Sequence, residues 1–279
     1  MADLSVHRLG LTFRNPIVLA SGPAGTGKEI LSDPEAGRVG AITLKTLTPE
    51  QRTGNPQPRL VDCSAGALNS IGLENPGCVA FVAHILPLIG ALQTRRIASL
   101  ASPEPARMAE MAELVGSRPE IDAIEVNLSC PNADHAAIAD DIAAVRAMVG
   151  AASGASPLPV LAKLPGDSSD LLDAAAAALD AGASGLTLIN AIRGMRIDHR
   201  TGRPFLHRGI GGVSGPAIFP IALARVYEAR RAFPGAVIVG TGGVIDVGGV
   251  VEMLLAGGGP RRDRIRVHGR PAPTRAARR

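Results

Sequence analysis

The chain has 279 residues, of which 46% are hydrophobic and only 2% aromatic, with one Tyr and no Trp. That length suits one large domain or two ordinary ones, and Leu, Val, Ile and Ala must fill the core. The formal charge of +4 does not describe a basic body: residues 260–279 hold eight Arg and one Asp, and the remainder sets 21 basic against 24 acidic side chains, a net of −3. A body built to hold nucleic acid is thereby excluded.

In chain order the segments alternate between strand and helix. LSVHRLGLTF (4–13) reads as a small hairpin. Strand-like runs follow: IVLA (17–20), AITL (41–44), RIASL (96–100), DAIEV (122–126), PVLAK (159–163), GLTLI (185–189) and AVIVG (236–240). All are near-continuous apolar runs, the pattern of parallel strands covered on both faces. Helical patterns fall at 104–115, 136–149, 169–182, 217–233 and 246–257, with Gly182 and Gly257 as stops. A doubly wound sheet is compatible with this order. A barrel is favoured because Ser21, Lys45, Asn127, Lys163, Asn190 and Gly242-Gly243 all sit at strand C-terminal ends, and many strand ends converge on one site in a (β/α)8 fold. The expectation is a TIM barrel over 1–257, incomplete at its eighth β/α unit because seven strands are legible. Residues 258–279 are expected to be a disordered Arg/Pro-rich tail.

Several groups could carry chemistry. Lys45 closes AITLKTLT and Lys163 closes PVLAKLPG. An ammonium at the end of an apolar strand is costly unless it meets an anion or polar group. Either lysine alone could simply reach solvent; two at equivalent strand ends favour an anionic or electron-rich ligand. GALNSIGLENPG (66–77) offers the amides of Asn69 and Asn75 and an accessible backbone, or is a plain turn. Thr241-Gly242-Gly243 is a weak signal for a phosphate cradle at a helix start. Gly215-Pro216 reads as a helix entry where a planar ring could approach the backbone. Cys130, in NLSCPN, is by base rate a buried filler, but its strand-end position beside Asn127 and Asn132 favours chemistry. The three Cys are far apart, and the six His form no HxH or HExxH pattern. Neither a disulfide framework nor a metal site is expected. MADLSVHRLG has no apolar signal core and no run is long enough to span a membrane, so a soluble cytoplasmic protein is expected.

Taken together and in order, NPIVLASGPAGTG, TLKTLT, GNPQPRLVD, GALNSIGLENPG, NLSCPN, LAKLPG, LINA, GMRIDHRTGRPFL, GGVSGPAI and VGTGGV resemble the class 1 dihydroorotate dehydrogenases, over residues 4–257. LNSIGLENPG and RTGRPFL…GGVSGPAI look more like subclass 1B than 1A. The resemblance implies FMN-dependent oxidation of dihydroorotate to orotate in pyrimidine (UMP) biosynthesis. It implies FMN across the C-terminal mouth, held by Ser21, Lys45, Thr46, Asn127, Lys163, Ile189 and Gly215, with its phosphate on Gly242 and Gly243. Dihydroorotate would stack on the flavin, read by Lys45, Asn69, Ser70, Ile71, Gly72, Leu73, Asn127, Asn190 and Ala191. Cys130 would be the general base, taking the C5 proton while C6 passes hydride to the flavin. Subclass 1B enzymes join an iron–sulfur FAD subunit that links to NAD, whereas subclass 1A enzymes are homodimers that use fumarate. A homodimer or a heterotetramer is therefore implied.

The chain departs from that family pattern in three places. Asn190 is followed by Ala191 instead of Thr or Ser, a lost hydroxyl worth about 0.5–1.5 kcal/mol of binding. The family's longer glycine-containing loop after SCPN is missing. The Gly-Thr pair that completes the phosphate cradle should fall near 264–265, where Arg264-Ile265 stands. A shifted reading frame or damaged gene end would account for the tail. Two alternatives follow: a catalytically impaired remnant lacking the last strand, and, more remotely, a basic-tailed RNA-binding protein, though aromatics for base stacking are missing.

Overall fold

The computed structural model describes residues 3–129 and 138–258. The chain opens with an antiparallel hairpin, β1 (Val6–Arg8) and β2 (Leu11–Phe13), followed by β3 (Val18–Leu19) and β4 (Ala41–Thr43). Next come β5 (Leu60–Cys63), β6 (Gly66–Asn69) and a helical stretch in which α1 (Cys78–Ala80) and α2 (Leu86–Ile89) flank a π-helical turn, Phe81–Ile85. Three strand–helix units follow: β7 (Arg95–Leu100) with α3 (Pro105–Gly116), β8 (Ala123–Asn127) with α4 (Ile142–Ala155), and β9 (Val160–Leu164) with α5 (Leu171–Asp180). After β10 (Gly185–Leu188) the chain forms β11 (Ile192–Met195), the small β12 (Ile197–Asp198) and β13 (Arg203–Pro204) pair, and β14 (Ile210–Ser214). It ends with α6 (Phe219–Ala232), β15 (Val237–Gly240) and α7 (Val247–Ala256).

Seven strands make one parallel sheet in the order β15-β10-β9-β8-β7-β4-β3. Each pairs with its neighbour in the chain order of that sheet, and the order never reverses. A doubly wound sheet would contain a reversal, so this is a barrel wall, built from the seven strands read in the sequence. β3 and β15 are its two ends among the described residues. Arg264-Ile265, where the family's Gly-Thr pair should fall, lies outside them, so the expected incompleteness of the eighth unit falls on residues that are not described.

The pleat sorts the wall into two faces. Ile42, Ala98, Ile124, Val126 and Ala162 pack outward into the core shared with the helices. Those helices present apolar residues at i, i+3, i+4 and i+7: Met108, Met111, Ala112 and Val115 on α3, and Val145, Met148, Val149 and Ala152 on α4. Ala41, Ile97, Ala123 and Leu161 pack on the other face, against Phe13 of the hairpin, which stops the N-terminal end of the barrel. Two residues further along the same faces stand Thr43, Ser99, Glu125 and Lys163, all buried. The interior is thus apolar at the base and polar towards the C-terminal ends.

The helix expected at 136–149 begins instead at Ile142. The Asp141 carboxylate accepts from the Ala143 and Ala144 amides, which makes it the cap, and a 3-10 turn, Ile138–Asp140, precedes it. Absent from the sequence reading was a four-stranded antiparallel sheet, β11-β14-β6-β5, made by the segments after β4 and β10. Among the described residues no helix is long and apolar enough to cross a membrane.

Candidate active site

The C-terminal strand ends open into a cavity of about 2550 Å³. A single ligand pocket usually occupies about 300–1,000 Å³. Its lining extends to Val18 and Leu19 of β3 and to Val237, Ile238 and Val239 of β15. The antiparallel sheet forms one rim of the mouth. Its register sets Asn69 opposite Gly212, and the Asn69 amide donates to the Gly212 carbonyl at 3.2 Å.

Across the floor of the mouth runs a chain of polar side chains from five strands. The Asn190 amide donates to the Ser129 hydroxyl, which donates to Asn127 Oδ1 at 2.6 Å. Asn127 Nδ2 donates to Thr46 Oγ1 at 3.3 Å. Thr46 meets Ser99 at 2.9 Å and Ser21 at 3.4 Å, and Ser21 donates to the Leu44 carbonyl at 2.8 Å. Thr46, Ser99 and Asn127 are buried. Such a chain fixes which face of each amide looks into the cavity, because every link uses up one donor or acceptor.

Two lysines add positive charge. Lys163 is 4% exposed, and its Nζ lies 3.9 Å from Oε1 of Glu125, itself 2% exposed. Burial pushes the Lys45 amine below the ordinary lysine value of 10.5; nearby Lys163 and Arg59 push the same way, and Glu74 opposes them. A site that holds two ammonium groups close together, at the cost of one's proton affinity, is suited to an electron-rich or anionic ligand.

The wall beyond β15 is bare backbone. Gly243 has φ +73°, and a Cβ there would meet the Gly215 carbonyl oxygen at 2.7 Å and the Phe219 amide nitrogen at 2.9 Å. Among the described residues neither the Gly242 nor the Gly243 amide donates to a protein acceptor. These two amides are not the start of a helix, as the sequence suggested. α7 begins at Val247, where the Asp246 side chain accepts from the Gly249 amide. The pair forms a separate loop that lines the cavity with amides unclaimed by any described acceptor, an arrangement that fits an anionic group such as phosphate.

Ser21, Lys45, Thr46, Asn69, Ser70, Ile71, Gly72, Leu73, Asn127, Lys163, Ile189, Asn190, Ala191, Gly215, Gly242 and Gly243 all line this one cavity. Asn75 does not. Its Oδ1 accepts from the Gly77 and Thr48 amides and its Nδ2 donates to Thr48 Oγ1 and the Leu73 carbonyl, so it holds its own loop. Cys130 lies outside the described residues; its chain neighbour Ser129 lines the cavity. Ser129 was missed as a lining residue, and Ser99 and Glu125 as the buried partners of Thr46 and Lys163. The signal was present for Glu125, a lone acid in the otherwise apolar run Ala123-Ile124-Glu125-Val126.

Residues 3–259 match the family model described as Dihydroorotate dehydrogenase. The chain belongs to the dihydroorotate dehydrogenase family. It is 40% identical over 259 residues to a Listeria welshimeri protein named "Dihydroorotate dehydrogenase B (NAD(+)), catalytic subunit", covering 92% of this chain and 85% of that protein. Proteins of the same name from Bacillus pumilus and Geobacillus kaustophilus are each 40% identical, over 91% and 92% of this chain and 82% of each of theirs. The dihydroorotate dehydrogenases are flavoenzymes, and the lysine-flanked polar floor with its glycine-lined wall fits such a group.

Proposed function

We propose that this chain is the FMN-bearing catalytic subunit of a two-component dihydroorotate dehydrogenase, which oxidises dihydroorotate to orotate for pyrimidine synthesis. Electrons would leave to NAD through an iron–sulfur FAD partner subunit. The observation that carries this reading is the hydrogen-bonded chain Asn190–Ser129–Asn127–Thr46 beneath two lysines, in a chain matched to the family from residue 3 to 259.

Ser21, Lys45, Thr46, Asn127, Lys163, Ile189 and Gly215 would hold the flavin, and Gly242 and Gly243 its phosphate. When bound, FMN supplies the hydride acceptor. The protein residues do the rest. Lys45 and Lys163 offset negative charge that develops on the ligands. Asn127 and Asn190, oriented by Ser129, present amide groups to the substrate ring, with Asn69, Ser70, Ile71, Gly72, Leu73 and Ala191 on the opposite rim. Cys130 takes the C5 proton as a thiolate. An ordinary thiol titrates near ~8.5, so the site must favour its ionised form for it to serve at neutral pH. Residues 1–257 are the catalytic barrel in this reading, and 258–279 a separate tail.

A second reading, an impaired remnant, rests on the sequence, where Arg264-Ile265 stands in place of the family's Gly-Thr pair. One experiment separates them. The purified chain is mixed with FMN, desalted, and treated anaerobically with dihydroorotate. Retained flavin that bleaches supports the enzyme. Retained flavin that stays yellow supports the remnant. Protein that holds no flavin refutes the first reading.

A further inference from the structure

Glu125 is the one acidic side chain buried in the barrel interior among the described residues. It stands on the inward face of β8, one step above Ala123 of the apolar base and one step below Asn127 of the mouth. Ser99 and Leu161 are its register partners on either side. Its Oε1 has no hydrogen-bond partner, and neither has the buried Oγ1 of Thr187, the register partner of Lys163 on β10. What faces Oε1 is the Lys163 ammonium at 3.9 Å, too long for a hydrogen bond and short enough for a strong charge interaction in a buried setting.

A buried carboxylate with an unpartnered oxygen is costly, and stability does not explain its presence. Packing does not need it either: Ser99, its neighbour in register, is a small residue, and an apolar side chain would fill the volume. Its one strong contact is Lys163, and Lys163 lines the ligand cavity. We propose that Glu125 is a positioning residue, whose carboxylate holds the Lys163 ammonium at the cavity floor and balances its charge, thereby setting the electron affinity of the flavin above. This rests on the flavoenzyme reading of the site.

The direction follows from charge. Without the carboxylate, Lys163 stands beside the flavin as an uncompensated cation, which favours the reduced, more negative flavin. Glu125→Gln keeps shape and removes charge. The test is the midpoint potential of the flavin-loaded protein, measured spectroscopically by equilibration with a reference dye. Glu125→Gln is expected to shift the reduction equilibrium about tenfold towards reduced flavin, ~30 mV for a two-electron couple. In a Lys163→Gln background the same change is expected to have less than a twofold effect. If Glu125→Gln does not fold, Glu125→Asp draws the carboxylate back by one methylene and should give a smaller shift of the same sign. An unchanged potential in a flavin-bearing variant, or a full shift that persists without Lys163, overturns the proposal. Wild-type protein that holds no flavin refutes the flavoenzyme reading itself, and the proposal with it.

Discussion

Gly243→Ala tests the phosphate side of the site. Two costs can be worked from the geometry. The residue has φ +73°, where an L side chain costs about 1–2 kcal/mol. The added methyl would also stand 2.7 Å from the Gly215 carbonyl oxygen and 2.9 Å from the Phe219 amide nitrogen. Both are backbone atoms that cannot swing aside, and such overpacking costs about 1–3 kcal/mol. The total is about 2–5 kcal/mol, against a whole-domain stability of about 5–15 kcal/mol. For a chain of this size, each kcal/mol moves the melting temperature by about 2–4 °C, so a fall of about 4–20 °C is expected by circular dichroism. FMN at a hundredfold excess over its Kd should stabilise the wild type by about 2.7 kcal/mol. The variant should lose most of that gain, because the methyl pushes the one loop that bears the free Gly242 and Gly243 amides away from Gly215 and Phe219. A melting temperature within 2 °C of wild type, or an equal stabilisation by FMN, would refute this account of the Gly242-Gly243 loop.

Two further outcomes follow from the mouth. Ser129→Ala removes the hydroxyl between Asn190 and Asn127 and leaves both amides loosely oriented. We expect kcat/KM for dihydroorotate to fall about tenfold, ~1.4 kcal/mol, with flavin content unchanged, and steady-state kinetics beside the flavin absorbance would check it. Lys45→Met should stabilise the flavin-free protein at pH 7, because folding half-buries the ammonium at a desolvation cost. The amine holds its proton less tightly when folded than when unfolded, so the unfolded chain binds more protons and stability rises with pH. The penalty is full below the folded pKa and is relieved as the pH climbs towards 10.5. The advantage of Met should therefore shrink between neutral pH and 10.5, and denaturant titrations at several pH values would show whether it does.

The barrel wall was legible because its strands are buried on both faces and read as unbroken apolar runs. Their order was legible too, since polar residues at so many strand ends suggested a single mouth. The antiparallel sheet was hidden for the opposite reason. β6, β11 and β14 are half-buried and rich in glycine, so they carry neither an apolar run nor a period of two. At Gly211 a Cβ would stand 2.4 Å from the Asn69 carbonyl oxygen, which shows why those strands could not carry the side chains that advertise a sheet. The helical stretch from Cys78 to Ile89 was obscured by Pro87, which the π-helical turn accommodates by letting it fall in the first turn of α2. The helix after Cys130 was placed six residues early because its alanines fit a helix anywhere; Asp141 sets its start. At the site, individual residue types pointed to the cavity, while the link through Ser129 depends on side-chain directions that spacing alone does not specify.

In the proposed reaction the cavity oxidises dihydroorotate with Cys130 as base. Its most direct test is the anaerobic rate at which dihydroorotate bleaches the FMN-loaded chain, for wild type and Cys130→Ala. Bleaching with release of orotate is expected in the wild type, and a rate lower by about 10²–10⁴-fold in the variant, the usual worth of a positioned base. Equal rates would remove Cys130 from the chemistry. A wild-type flavin that stays yellow under excess dihydroorotate, yet bleaches with dithionite, would contradict the activity itself.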